Sequence, residues 1–541
     1  MTAALPMAGR TADTAARRAV TRLAVRQVRR GALVVLAVTV GMSTLVAATH
    51  ARTVGDALDA GALAVLARNP AIRTLFGEPV ALETAGGFTV WRTGTILAVL
   101  LSVWGLLATT RITRGEEAAG RWDLLLAGRL GPAAVLGRHL AVLAVAAALT
   151  AATLTAALVA VGTPARGAAL HAAGLALVVT VAVAAAALAA QVFPTRATAT
   201  GATLAFLGVG LLARMVGDGV ASLGWLRWLP PYGPLALTRP YRDDRVSPLI
   251  VLAFATVVLS AAALTLARRR DVRDGLLSPA AGRPPRLRLL GSVEAFAVRR
   301  MLRPLAGWSA GVGAYFLLIG VLTVSLTDFL GDNPRFADLA ARAGFAGLDS
   351  ARGYAATLFA LLAVPVGAFA AVRVAAFAAA ETDGRLTLLN AGMVPRARLL
   401  SAEVGTTAVG AAVLVTVAGA ATWLGAVVVG ADLPLGAAFA GTWNVLPVAL
   451  LNLGVAVLVL GRTPHGVAVV GMVPAAGGFL LKVIADSTGA ASWVSWLSPY
   501  THLADVPQAT PDWPATAVMV GLAGAALAVG TFGYRRRDVM V

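Results

Sequence analysis

Few residues in this chain are of types that carry covalent chemistry, and their spacing argues against most of it. Five histidines, His50, His139, His171, His465 and His502, are scattered without the spacing of metal ligands. Cysteine is absent, which removes disulfides, thiol nucleophiles and thiolate metal sites. A phosphate loop needs Gly-x-x-x-x-Gly-Lys-[Ser/Thr], whereas Lys482 is the only lysine and follows Leu481. The paired carboxylates Asp243 and Asp244 stand in RPYRDDR, where Arg242 and Arg245 make a solvated ion-pair cluster rather than a general acid and base. What remains are polar residues at membrane depth: Arg214, Trp443, Asn444, Asn452 and Lys482. Such groups are costly in a bilayer and commonly functional. Trp443, Asn444 and Asn452 are candidates for lining a substrate path, with hydrogen bonding between helices as the competing role for the asparagines. Arg214 and Lys482 fall near span ends, from which they are expected to snorkel. No carboxylate is expected in mid-span, where proton-coupled carriers need one.

Recognition chemistry is better represented. Residues 111–138, RITRGEEAAGRWDLLLAGRLGPAAVLGR, are charged and lie between two apolar runs, and residues 380–395, AETDGRLTLLNAGMVP, repeat the arrangement. Glu117, Gly120, Arg121, Leu124, Leu125, Ala127 and Gly128 recur as Glu381, Gly384, Arg385, Leu388, Leu389, Ala391 and Gly392, at a constant offset of 264 (117 to 381, 128 to 392). The spacing predicts a short helix over about 112–130 and another over about 376–394, with Glu117 and Arg121 forming an i,i+4 pair. Leu124 and Leu125 give that helix an apolar patch. Its glycine, which costs about 1 kcal/mol inside a helix, implies close packing. Two matched copies read as a docking surface for a partner rather than a spacer between spans.

These segments are held by an apolar frame. The 541 residues are 58% hydrophobic and 13% charged, with mean hydropathy +0.80; a soluble protein carries about a quarter charged residues. Apolar runs of about 18 to 27 residues cross a bilayer core of about 30 Å. The expected fold is therefore an all-α polytopic membrane protein with about 12 transmembrane helices in two parallel six-helix repeats. Spans are expected near 31–49, 91–110, 139–162, 168–193, 200–217 and 247–267, then 305–327, 353–372, 402–429, 436–460, 464–484 and 515–533. The first half (1–272) opens with an Arg-rich amphipathic stretch, RRAVTRLAVRQVRR at 17–30, suited to lie in the membrane interface. A Pro-, Gly- and Arg-rich linker occupies 273–291, and the second half is 292–541.

The plan then repeats. Ala297-Val298-Arg299 echoes Ala24-Val25-Arg26, Asn333-Pro334 echoes Asn69-Pro70, and Trp496-Leu497-Ser498-Pro499-Tyr500 echoes Trp228-Leu229-Pro230-Pro231-Tyr232. Each half closes on Arg-Arg-Arg-Asp-Val, at 268–272 and 535–539. The formal net charge is +19, almost all of it arginine at span ends. That is the positive-inside pattern, which needs no nucleic acid and predicts both termini in the cytoplasm of a multi-pass cell-membrane protein. Six spans per half make the repeat parallel, unlike inverted-repeat carriers.

The order of amphipathic stretch, two spans, charged E-x-x-G-R-x-x-L-L segment and four further spans with an outer Pro/aromatic segment resembles the ABC type-2 exporter permeases. Two such units in one chain resemble the actinobacterial exporters of polyketide antibiotics, including the tetronasin-type permeases. The resemblance implies that the charged segments are coupling helices, seated in clefts of a separate ABC ATPase present in two copies. Glu117, Gly120, Arg121, Leu124 and Leu125, with Glu381, Gly384, Arg385, Leu388 and Leu389, would make those contacts. It further implies a hydrophobic small-molecule cargo, no catalysis or cofactor in this chain, and ATP and Mg bound by the partner. A twelve-span facilitator-class carrier driven by an ion gradient is the alternative, although its D-R-x-G-R-R-like loop is missing. A membrane-embedded transferase for lipid-linked substrates is a third reading, without the outer domain it would need.

Overall fold

A computed structural model describes residues 5–53, 69–128, 130–272, 275–277, 287–334, 347–386, 389, 394–488 and 491–537. Every regular element among them is a helix, so the backbone donors and acceptors are satisfied within each segment, as a bilayer demands. The chain is an all-α polytopic membrane protein. It divides into two compact units, Met1–Arg283 and Pro284–Val541.

In the first unit the spanning helices are α1 (Leu5–Thr53), α2 (Ala85–Thr110), α3 (Pro132–Ala160), α4 (Ala165–Val192), α5 (Arg196–Gly219) and α6 (Ser247–Arg269). The amphipathic stretch and the first span are one unbroken helix, contrary to a separate interfacial segment; no proline interrupts α1 beyond its first turn. Arg17, Arg18, Arg22 and Arg26 are exposed along it, while Val20, Ala24 and Val28 are buried. The unit is organised around α4, whose small residues Ala182, Ala186, Ala187 and Ala190 are fully buried and let α2, α3 and α6 approach closely. Short connecting helices have their own start signals: Asn69 caps Pro70–Phe76 by accepting from the Ile72 amide at 2.9 Å.

The second unit holds α7 (Val293–Val321), α8 (Ala363–Thr382), α9 (Arg396–Val428), α10 (Leu446–Leu460), α11 (Gly478–Thr488) and α12 (Trp513–Arg536). Here α7 crosses α9 where Gly320 faces Gly425. A side-chain carbon on either glycine would strike the carbonyl of Thr422 or Leu317.

Eleven helices among the described residues are long and apolar enough to span, rather than twelve. The difference is the stretch expected at 464–484. It is broken into Val467–Gly471, a π-turn at Val473–Gly477, and α11. Pro474 has no amide hydrogen to give the ladder, and Gly477-Gly478 follow it. The neighbouring span is likewise split, Leu435–Trp443 ending at Asn444-Val445 just ahead of Pro447 in α10.

Candidate functional site

Each charged segment hangs from the end of a long helix and folds as a turn, not as one continuous helix. After α2 the chain makes a π-turn at Arg111–Gly115, a helical turn at Glu116–Ala118, and a short helix at Arg121–Leu126. Gly120 sits between them at φ +73°, a left-handed conformation that accounts for glycine there. In the second unit α8 ends the same way at Gly384, φ +71°, where the Gly384 amide donates to the Glu381 carbonyl at 3.0 Å and the Arg385 amide to Ala380 at 3.0 Å. That pair of bonds is a glycine-terminated helix cap. The shared glycine therefore ends a helix; it does not mark a mid-helix contact.

This geometry revises the expected ion pair. The turn at Gly120 rotates Arg121 away from Glu117, and Arg121 instead donates to Glu116 at 2.5 and 2.8 Å. The Glu116 carboxylate raises the pKa of Arg121 above its ordinary value. Glu117 points inward, with its side chain 2% exposed. Both of its oxygens accept from Arg270 at 2.7 Å, and Arg114 lies at 3.1 Å. Arg270 also donates to the Gln191 side chain at 2.6 Å, and Arg114 donates to the Phe193 carbonyl at 3.0 and 2.7 Å. Glu117 thus ties the charged turn to the ends of α4 and α6. Trp122, 1% exposed, is the apolar anchor of the segment: its indole donates to Ile112 at 3.3 Å and its ring lies along His139.

The second copy is built alike. Glu381 is buried at the end of α8 and accepts from Arg537, from Arg396 at 3.0 Å and from the Tyr534 hydroxyl at 3.1 Å. Arg537 in turn donates to the Leu460 carbonyl at 3.0 Å, at the end of α10. Leu386, 3% exposed, occupies the place of Trp122. Arg385 pairs with Asp383 at 2.7 Å, both well exposed.

The two copies therefore present outward Arg121, Asp123 and Leu124 (79% exposed) in one unit, and Asp383, Gly384 and Arg385 in the other. Leu125 and Leu389 are half-buried against their own units, and Leu388 lies outside the described residues. Sequence reading missed the pairing of Glu117 with Arg270 and of Glu381 with Arg537, although the signal was present. The third arginine of each Arg-Arg-Arg-Asp-Val run is the partner.

The polar residues in the spans fall out differently from expectation. Arg214 does not snorkel; it is buried and meets Asp218, one turn on, at 2.7 Å. Glu78, Arg227, Arg239 and Asp243 extend that network at the end of the unit opposite Glu117. Asp243 also meets Arg245 at 2.8 Å, and Asp244 meets Arg166 at 3.7 Å, an ion-pair cluster in which the Arg239 hydrogen bond holds the Asp243 carboxyl below its usual range. A carboxylate does stand inside a span: Glu403, two turns into α9, is buried with Arg373 and with Arg300 at 3.4 Å. Trp443 is exposed on its helix, Asn444 donates to the Ala504 carbonyl at 2.9 Å, and buried Asn452 accepts from the Ala475 amide at 3.0 Å. The two asparagines thus hold the backbone where these helices are broken.

Comparison with known proteins adds the biological frame. A family model described as the multidrug efflux system permease Rv1217c, C-terminal domain, matches residues 18–268 and 290–535. The multidrug efflux system permease protein Rv1217c of Mycobacterium tuberculosis is 29% identical over 493 residues, which span 89% of this chain and 87% of that protein.

Proposed function

The chain belongs to the Rv1217c family of multidrug efflux permeases, and from that premise we propose that it is the membrane subunit of an ATP-driven exporter of the ABC type-2 class. In this reading both termini and both charged turns are cytoplasmic, each turn docks on one copy of a separate ABC ATPase, and ATP and Mg are held by that partner. The cargo is a hydrophobic small molecule, with polyketide antibiotics as the class suggested by the tetronasin-type resemblance.

One observation carries the reading. The two charged turns recur at the same register in the two halves, end on the same left-handed glycine and expose a charged rim while burying their glutamate. A spacer between spans has no need to preserve such a turn twice. A paired motor with two equivalent clefts does. Each rim suits a partner cleft of mixed charge: Arg121 and Asp123 in the first unit, Asp383 and Arg385 in the second. Within this reading α4 and α10, which the arginines paired with the two glutamates also reach, are among the parts that the turns would move.

The test is retention of an ATPase. The full chain, affinity-purified from membranes in which the candidate ATPase is co-expressed, is expected to retain that protein and its ATP hydrolysis. Reversal of the exposed charges, Arg121→Glu with Arg385→Glu, is expected to abolish retention while leaving membrane insertion intact. Unchanged retention in the reversed variant refutes the docking assignment.

A second reading draws on Glu403, a buried carboxylate in a span of the kind ion-coupled carriers use. Its two oxygens are engaged by Arg373 and Arg300, which disfavours a proton shuttle. Glu403→Gln would abolish transport under that reading and spare ATP-driven transport under the first.

A further inference from the structure

We infer that Glu117 and Glu381 are not docking residues but positioning residues, each locking its charged turn to the terminal arginine cluster of its own half. Displacement of the turn is thereby delivered to the end of the last helix. The inference rests on the docking reading for what pushes the turn, and on the geometry of each unit for where the push goes.

Three features support it. First, both glutamates are buried, whereas Arg121 and Asp123 beside one and Asp383 and Arg385 beside the other are exposed. Secondly, each takes the third arginine of the Arg-Arg-Arg-Asp-Val run that closes its half: Arg270 through two bonds of 2.7 Å, and Arg537 directly at the other carboxylate. A guanidinium gripping a carboxylate fixes orientation as well as distance, so the joint transmits rotation as well as translation. Thirdly, this pair is common to the two copies while other partners differ. The additional cation is Arg114, three residues before the glutamate, in one unit and Arg396, fifteen residues after it, in the other. The polar neighbour is Gln191 in one and Tyr534 in the other. Divergent surroundings around a constant pair argue for the link itself, since a buried ion pair is a poor source of stability but a good source of geometric specificity. Each arginine also reaches a second spanning helix, Arg270 at the end of α4 and Arg537 at the end of α10. One movement of the turn would therefore be shared by two helices.

Two measurements on the full chain separate this inference from the docking reading. The natural absence of cysteine allows spin labels at Leu124→Cys and Val257→Cys, both exposed positions of the first unit. With no ATPase present, a single narrow inter-label distance is expected in the native background and a broadened one with Glu117→Gln. Identical distributions overturn the lock, whether or not the docking reading stands. With the ATPase present, Glu117→Gln/Glu381→Gln is expected to retain the partner at the native ratio. Permease-dependent stimulation of its ATP hydrolysis is expected to fall about tenfold or more, the loss of at least one charge-assisted hydrogen bond. Native stimulation in that variant overturns the inference, as does loss of the ATPase in proportion to the loss of stimulation. If the glutamine pair fails to fold, Glu117→Asp/Glu381→Asp takes its place: it keeps the charge but falls one methylene short. A smaller loss of stimulation is expected from it, and native stimulation again overturns the lock. A native chain that retains no ATPase refutes the docking reading instead.

Discussion

Removal of the Glu117 side chain tests the buried cluster most sharply. Glu117→Ala leaves Arg114 and Arg270, whose side chains are 1% and 10% exposed, facing one another without the carboxylate between them. Breaking a buried pair by deleting one partner costs about 3–5 kcal/mol, because the surviving charge is uncompensated. In a unit spanning Met1–Arg283, an unfolding entropy of about 2.1 cal/mol/K per residue converts this to a fall in melting temperature of about 5–8 °C. The reciprocal change, Arg270→Ala, is expected to cost less, since Arg114 still serves the carboxylate at 3.1 Å. The double variant Glu117→Ala/Arg270→Ala leaves only Arg114 unmatched and should cost clearly less than the two single changes together, the mark of direct coupling. Scanning fluorimetry of the protein in lipid nanodiscs, using its own tryptophans, measures all four forms. A Glu117→Ala melting temperature within about 1 °C of native, or strictly additive singles, would refute the assignment of Glu117 to a buried salt-bridge cluster.

Further outcomes follow from the same geometry. Gly120→Ala and Gly384→Ala place a side chain in the left-handed region and should each destabilise the turn by about 1–2 kcal/mol, visible as faster amide exchange in 116–126 and 380–386 without loss of the spans. Arg214→Ala leaves the fully buried Asp218 side chain with only the more distant Arg227, at 3.8 Å, and should cost toward the lower end of about 3–5 kcal/mol, read as a drop in melting temperature smaller than that of Glu117→Ala. Leu124→Cys should react rapidly with a maleimide in the free permease and be protected when the ATPase binds; equal labelling rates in the two states would contradict docking at this turn.

Much of the fold was legible because membrane spans obey one strong rule. A run of apolar residues long enough for the bilayer, such as 168–193, becomes a helix almost to the residue, Ala165–Val192. The rule failed where backbone chemistry competed with it. Pro474 and Gly477-Gly478 broke the eleventh apolar run, and the absence of an interior breaker fused the amphipathic stretch to the first span. At the candidate site, periodicity predicted that Glu117 and Arg121 share a helix face, and one glycine in the left-handed conformation sent them to different partners. Local spacing cannot find a partner 153 residues away, which is the separation of Glu117 from Arg270. The repeat could have. Glu117 and Arg270 each recur in the second half, as Glu381 and Arg537, and two motifs duplicated together are candidates for contact. The Arg373–Glu403 pair has no such signal, because Thr109 and His139 stand at the corresponding positions 264 residues earlier.

The most direct test of the account is transport by the purified chain in liposomes, followed with a hydrophobic fluorescent dye, with and without its ATPase. Dye movement is expected only when the ATPase and Mg-ATP are both supplied, and an imposed proton or sodium gradient alone should drive none. Gradient-driven movement by the chain by itself, unchanged by nucleotide, would contradict it.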